Sequence, residues 1–289
     1  MSWLEEEIGR AEKSKLRKNG IKWFVGGVFA AIIIFAVFSL FPYSQDAGVK
    51  VIRVEGTLAT GNMYSGGYAG SDYIGAQIRS AADDPLTEGI VLRVNSPGGS
   101  PSASQEIIRD IEYAKAKKPV VVSMGDMATS AAYHISSHSD WIFANPDTMT
   151  GSVGTIWTFY DTSESLDKEG VSVAVVKSGD LKDLGSTFRG LSDDELSYVQ
   201  KMVYDSFELF INDVLTQRNI SRTDIEEAQL IRGEDALKLG LVDEMGNLYD
   251  AIDYVKNYDR KKALEKKAVL KDNSSESETS DEALTSADE

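Results

Sequence analysis

An uncharged apolar run near the N-terminus is the strongest constraint on how this chain can fold. Residues 23–41 read W-F-V-G-G-V-F-A-A-I-I-I-F-A-V-F-S-L-F, without one charged side chain. At about 1.5 Å rise per residue, a helix of this length roughly matches the ~30 Å hydrocarbon core of a bilayer. A buried core helix and a cleaved signal peptide are the alternatives. Because the run is long and ends in a bulky stretch, L-F-P-Y at 40–43, we predict an uncleaved transmembrane anchor over residues 23–41.

The cations that flank this run predict its orientation in the lipid bilayer. The next cation after the run is Lys50. Six cations precede the run: Arg10, Lys13, Lys15, Arg17, Lys18 and Lys22. Since cations near a membrane span favour the cytoplasmic side, residues 1–22 are predicted to be cytoplasmic. We therefore expect a single-pass protein of the cell membrane, with everything after Phe41 outside the cytoplasm.

Charge and cysteine content exclude several function classes. The formal net charge is −16, which repels phosphate backbones and argues against nucleic-acid binding. There is no cysteine, so disulfides, thiolate zinc sites, Fe–S clusters and a cysteine nucleophile are excluded. Residues 261–289 begin with a cationic stretch and end in a Ser/Glu/Asp-rich stretch. We predict that this C-terminal tail is largely disordered.

Apolar strand-like runs alternate with helical patterns over residues 42–260, which we predict to form one domain. Strands are predicted at 49–54, 89–94, 119–123, 141–144 and 171–176, and helices at 71–82, 102–117, 129–137 and 193–218. Such alternation is typical of parallel βαβ units. The predicted fold class is therefore α/β, with one preceding transmembrane helix.

Two strand-to-helix junctions carry residues that suit acyl-transfer chemistry. Residues 95–100 read N-S-P-G-G-S, and their glycines allow backbone geometry that can aim N–H groups at an oxyanion. Residues 125–134 read G-D-M-A-T-S-A-A-Y-H, with small residues around Ser130. A serine in the first helical turn lies among free N–H groups at the positive end of the helix dipole. An ordinary turn and an ordinary N-cap serine are the structural alternatives.

A third segment supplies two lysines. Residues 177–186 read K-S-G-D-L-K-D-L-G-S and directly follow the predicted strand at 171–176. A lysine beside a nucleophile can act as a general base only when its amine is neutral, and burial favours that form. A solvated loop lysine is the alternative for both Lys177 and Lys182.

Five segments in this order resemble the signal peptide peptidase A family of serine proteases, in the ClpP/crotonase-like superfamily. They are N-S-P-G-G-S (95–100), M-A-T-S-A-A-Y-H-I-S (127–136), N-P-D-T-M-T-G-S-V-G (145–154), K-S-G-D-L-K-D-L-G-S-T-F-R (177–189) and G-E-D-A-L-K-L-G-L-V-D-E-M-G (233–246). The resemblance covers roughly residues 50–256. It implies a ClpP/crotonase-like fold of repeated ββα units in a half-length, single-domain member.

The resemblance also implies a role for individual residues. Ser130 would be the nucleophile and Lys182 its general base, with Ser152 helping to hold the lysine. Gly99 and Ala131 would supply the oxyanion N–H groups. Many relatives have Gly-Gly after the nucleophile where this chain has Ala131-Ala132, and a backbone donor survives that change. Lys177 is the rival base, but no aspartate follows it as in the family motif.

The family further implies partners and substrates. Half-length members assemble as ring-shaped homo-oligomers in which neighbouring subunits contribute Ser and Lys to one site. Their substrates are unfolded hydrophobic peptides, notably cleaved signal peptides. No cofactor and no metal are implied. Two other functions stay open as alternatives: a crotonase-type acyl-CoA enzyme, disfavoured by the extracytoplasmic location, and a catalytically inactive ClpP-like membrane scaffold.

The two histidines form the remaining candidate motif. His134 and His138 are spaced i, i+4, which can present two imidazoles to a zinc ion on one helix face. The intervening residues do not form H-E-x-x-H, and no cysteine is available as a further ligand. We therefore predict packing or surface histidines rather than a metal site, and no Ser–His triad through His134.

Overall fold

A computed structural model of the chain describes residues 27–29, 32 and 48–258. The chain divides into two units, Met1–Ala47 and Gly48–Glu289. Most of the predicted anchor, the predicted cytoplasmic segment 1–22 and the predicted tail 261–289 lie outside the described residues. The described residues of the anchor, 27–29 and 32, are helical and exposed. Every helix within the described part of the chain is too short or too polar to cross a bilayer.

A mostly parallel sheet forms the centre of the second unit. The strands are β1 (Val49–Glu55), β2 (Thr57–Ala59), β3 (Tyr68–Gly70), β4 (Gly89–Ser96), β5 (Val120–Thr129), β6 (Trp141–Ala144), β7 (Met149–Gly151), β8 (Leu230–Arg232) and β9 (Glu244–Met245). The main sheet has the order β1-β4-β5-β6-β9, with all of these neighbours parallel. The end of β5 also pairs with β7, which pairs antiparallel with β8. The predicted α/β class with parallel strands is confirmed.

Helices cover the sheet and connect its strands. They are α1 (Ser71–Asp83), α2 (Pro101–Lys115), α3 (Ala131–Ser137), α4 (Ser163–Lys168), α5 (Asp193–Gln217), α6 (Gly233–Lys238) and α7 (Leu248–Lys256). Ile90 and Leu92 of β4 belong to the core cluster that includes α1 and α2, whereas Val91 belongs to the cluster with α7. Successive strand residues point to opposite faces, so the almost continuous apolar run of β4 is buried on both sides.

The predicted strand at 171–176 is wrong. These residues form no strand and are exposed, including Val173 (41%) and Val176 (99%). Their alternating valines satisfy the strand pattern, but a strand also needs a neighbour with free backbone groups, and none pairs with them in the described part of the chain. Strand β5 also continues to Thr129, beyond its predicted end, so the helix that follows starts at Ala131.

Candidate active site

Ser130 lies at the junction between β5 and α3, where it is the N-cap of the helix. Its backbone has φ 54° and ψ −127°. Positive φ is uncommon for residues with a side chain and costs of the order of 1–3 kcal/mol, so surrounding structure must impose it. The Ser130 N–H donates to the Gly151 carbonyl (2.9 Å), and the Ser130 carbonyl accepts from the His134 N–H (2.9 Å). A strained strand-to-helix turn of this kind projects a serine hydroxyl out of the backbone.

The predicted oxyanion loop meets this turn directly. Gly98 and Gly99 have φ 99° and 148°, in the region that favours glycine. A Cβ on Gly98 would lie 2.8 Å from Ser130 Cβ, and a Cβ on Gly99 would lie 2.2 Å from the Leu58 carbonyl oxygen. The loop is held because the Leu58 N–H donates to the Gly98 carbonyl (2.8 Å) and the Leu58 carbonyl accepts from the Ser100 N–H (2.9 Å). Both glycines are therefore required by close packing as well as by φ.

The N–H groups of this loop and of the helix start are available to a ligand. Within the described part of the chain, neither the Gly99 N–H nor the Ala131 N–H donates a hydrogen bond. Both residues line the same cavity as Ser130, with a volume of ≈ 440 Å³. The cavity wall is largely apolar and includes Ile156, Trp157 and Phe210 of α5. The site can accept a carbonyl group beside an apolar side chain.

Ser152 lies next to the nucleophile turn. Strand β7 pairs with the end of β5 through Thr129 and Gly151, which places Ser152 one residue beyond this pairing. Ser152 also has a positive φ of 51°, and its N–H donates to the Gln229 carbonyl (2.9 Å). The strained backbone at Ser152 therefore lies close to that at Ser130.

Lys182 is placed elsewhere. It lies in a short 3₁₀ turn, Asp180–Asp183, in which no residue is buried. Lys182 is not among the residues that line the Ser130 cavity, and within the described residues its amine makes no ion pair. By contrast, the rival Lys177 donates to the Asp183 carboxylate (2.7 Å) and to the Asp180 carbonyl (2.8 Å). One copy of the chain thus brings Gly99, Ser130 and Ala131 together, but not Lys182.

An ion-pair network anchors the lysine segment to the start of α5. Arg189 donates to Asp183 (2.9 Å) and to Glu195 (2.6 Å). Hydrogen bonds from Arg189 and Lys177 hold the pKa of Asp183 well below its usual range. Hydrogen bonds from Arg189 and from the Ser192 N–H lower the pKa of Glu195 to about 2. The network orders the segment that carries Lys182 without using the Lys182 amine.

A second polar cluster lies one helical turn beyond Ser130. His134 Nε2 lies 2.6 Å and His138 Nε2 lies 3.0 Å from the same Asp213 oxygen, Oδ2. Burial lowers the pKa of His134, although its hydrogen bond to Asp213 opposes the change. Burial raises the pKa of Asp213, but the hydrogen bonds and charges of His134 and His138 lower it. The net result is a pKa below the usual value. Asp213 was missed because it is remote in sequence, on α5.

Comparison with known proteins decides the family. The family model described as peptidase family S49 matches residues 112–263, more than half of the chain. The chain belongs to peptidase family S49. The predicted resemblance to the signal peptide peptidase A proteases is therefore confirmed at the level of the family.

Three named relatives of this S49 chain are proteases. Protease 4 of Haemophilus influenzae is 38% identical over 215 residues, covering 73% of this chain and 34% of that protein. Protease 4 of Salmonella typhi is 37% identical, with the same coverage. The chloroplastic serine protease SPPA of Arabidopsis thaliana is 28% identical over 262 residues, 87% of this chain and 37% of that protein. The chain thus spans about a third of the length of these relatives.

Proposed function

We propose that this S49 chain is a serine endopeptidase in which Ser130 attacks the peptide carbonyl. The observation that carries the proposal is the strained backbone of Ser130, at the strand-to-helix junction against the Gly98–Gly99 loop. A structural N-cap serine needs no positive φ, because ordinary N-caps have extended backbone. The unpartnered N–H groups of Gly99 and Ala131 on the same cavity fit an oxyanion hole.

Lys182 is the proposed general base, supplied by a neighbouring copy of the chain. It lies on a segment with several large apolar side chains facing solvent: Ile156 (82%), Tyr160 (71%), Val176 (99%) and Phe188 (48%). Exposed apolar surface of this kind is typical of a protein–protein interface. A ring-shaped homo-oligomer would cover it and would bring the Lys182 of one copy to the Ser130 of the next. Desolvation in that interface would favour the neutral amine that a base requires.

The proposed reaction follows from these positions. The neutral Lys182 amine takes the proton from Ser130 Oγ as Oγ bonds to the carbonyl carbon. The Gly99 and Ala131 N–H groups hold the oxyanion, and the lysine proton passes to the leaving amine as the peptide bond breaks. Lys182 then takes a proton from water as the water oxygen attacks the acyl carbon, and it returns this proton to Ser130 Oγ as the ester bond breaks. Ser152 would position the lysine, and the steps use only groups of the protein and water.

Hydrophobic peptide segments are the proposed substrates, including cleaved signal peptides. The apolar cavity wall formed by Ile156, Trp157 and Phe210 fits an apolar substrate side chain. We also propose that residues 23–41 anchor the chain in the cell membrane and that the ClpP-like protease domain is extracytoplasmic. The run's length, lack of charge and preceding cations support that location. An anchored protease would meet such peptides where they are released.

Mixing two inactive variants tests the site. The full chain in mild detergent is assayed on casein and on a hydrophobic peptide as wild type, Ser130→Ala and Lys182→Ala. The matched control is Lys168→Ala, because Lys168 is an exposed lysine outside the network around Asp183. The kcat of Ser130→Ala and of Lys182→Ala should fall about 10³-fold or more, whereas the control should have the wild-type kcat. Co-assembly of both variants should restore about a quarter of wild-type activity, because half of the copies carry each group at random.

Two outcomes would count against the proposal. An active Lys182→Ala protein would exclude this lysine as the base, and no recovery in co-assembled rings would exclude a shared site. A folded wild type that hydrolyses neither substrate would favour the inactive scaffold.

A further inference from the structure

Three potential metal ligands from two helices converge beside the cavity. One ring nitrogen of His134, one of His138 and a carboxylate oxygen of Asp213 all lie within 4.8 Å of one another. His134 lies on α3, His138 follows four positions later as the residue that caps the end of α3, and Asp213 lies on α5. The histidine side chains are almost fully buried, whereas the Asp213 side chain is 38% exposed. A small ion can therefore reach the cluster, and water can complete its coordination.

Outer hydrogen-bond partners orient both imidazoles. The Nδ1 atom of His138 lies 3.0 Å from Glu112 Oε1, and the Nδ1 atom of His134 lies 3.2 Å from Ser104 Oγ. Histidines that bind metals almost always donate their other ring N–H to a carboxylate or another oxygen acceptor. In the tautomer with Nδ1–H directed outward, each Nε2 offers a lone pair to a divalent cation. Coordinate bonds from the ion to both Nε2 atoms and to Asp213 would then replace the hydrogen bonds that now join them.

We propose that His134, His138 and Asp213 bind one divalent transition-metal ion of the zinc type. Two imidazoles and one carboxylate suit zinc, whereas calcium and magnesium prefer oxygen ligands. The sequence alone predicted no metal, because it showed two ligands and the third is 75 residues beyond His138.

The position of the site indicates what the ion does. Helix α3 begins directly after the proposed nucleophile, Ser130, and α5 contributes Phe210 to the wall of the same cavity. An ion held by both histidines and Asp213 joins these two helices. The ion therefore stabilises the cavity that holds Ser130. Binding of this ion does not depend on whether the chain hydrolyses peptides.

X-ray absorption on the zinc-loaded full chain tests the ligands directly. The protein is purified with a tag that contains no histidine, stripped with a chelator and loaded with one equivalent of Zn²⁺. The chain has two histidines and no cysteine, so any imidazole signal comes from His134 and His138. The spectrum should show two imidazole ligands and oxygen. A spectrum without imidazole would overturn the proposal, and this readout on the wild type does not depend on how any variant folds.

Calorimetric titration with Zn²⁺ compares the variants. His138→Gln and Asp213→Asn should each weaken binding at least tenfold, and Glu112→Gln should weaken it by about 10–100-fold through the outer hydrogen bond. Asp205→Asn is the matched control, because Asp205 is an exposed aspartate on the same helix as Asp213. Zn²⁺ should raise the melting temperature of the wild type and of this control, but not of Asp213→Asn. Equal affinity in His138→Gln and wild type would refute the site.

Discussion

Arg218 and Asp243 form a buried ion pair that fixes the C-terminal end of α5 against the sheet. Arg218 is the residue at which α5 ends, and Asp243 directly precedes β9. Their side chains are 5% and 6% exposed, and two guanidinium nitrogens contact the two carboxylate oxygens at 3.0 and 2.9 Å. Arg218 also donates to the Gly240 carbonyl (2.7 Å), and Asp243 accepts from the Ile142 N–H (2.8 Å). Each buried charge therefore has two hydrogen-bonding partners.

Replacing only one side chain of this ion pair should lower the free energy of unfolding. Arg218→Met leaves the buried Asp243 carboxylate with the Ile142 N–H but without its counter-charge, a change that typically costs about 3–5 kcal/mol. In the double variant Arg218→Met/Asp243→Asn, the Asn oxygen still accepts from Ile142 and no buried charge remains. The main destabilisation then comes from the Gly240 carbonyl, which loses the Arg218 donor. Leaving it unpaired costs about 1–3 kcal/mol of the free energy of unfolding. The double variant should therefore be more stable than Arg218→Met alone.

Urea unfolding of the full chain, followed by circular dichroism, measures these differences at constant m-value. Lys201→Met is the control, because Lys201 pairs with Asp205 at the surface of the same helix. It should change the free energy of unfolding by less than about 0.5 kcal/mol. If Arg218→Met costs no more than this control, or if the double variant is less stable than Arg218→Met, the reasoning about the buried charge is wrong.

Two further predictions concern the oxyanion loop and the lysine segment. Gly99→Ala should lower kcat by about 10²-fold or more, because its Cβ would lie 2.2 Å from the Leu58 carbonyl and displace a proposed oxyanion donor. As pH falls from about 4.5 towards 2, the melting temperature of Arg189→Gln should fall less steeply than that of the wild type. Glu195 has a pKa depressed from 4.5 to about 2, so its stabilising contribution is complete above about pH 4.5 and is lost as pH falls towards 2.

Each of these predictions has a matched test. Gly61→Ala is the control for Gly99→Ala, since Gly61 also has a positive φ (105°) but has open space around its Cβ position. Similar kcat losses in both variants would show that backbone strain, not the loop clash, is responsible. For the network, equal slopes of melting temperature against pH in Arg189→Gln and wild type would contradict the role of Glu195.

Local sequence patterns were sufficient for the parts of the fold that depend on near neighbours. The apolar runs of β4 and β5 are buried on both faces, so their composition alone identifies them as central parallel strands. The spacing of Ile107 and Ile111 likewise identifies the buried face of α2. The turn formed by the two glycines beside Ser130 could also be predicted from sequence, because few other residues adopt the backbone geometry that such a turn needs.

Tertiary structure decided every feature that joins distant segments. Residues 171–176 have a strand pattern, but no strand among residues 48–258 pairs with them, which local pattern cannot reveal. The positive φ of Ser130 is imposed by Gly98, in the loop after β4, and by Gly151, at the end of β7. Asp213 became a partner of His134 only when α5 packed against α3. Sequence determined which segments are strands, helices and glycine turns, because those depend on residues a few positions apart. The fold determined which side chains meet, because that depends on how distant segments pack.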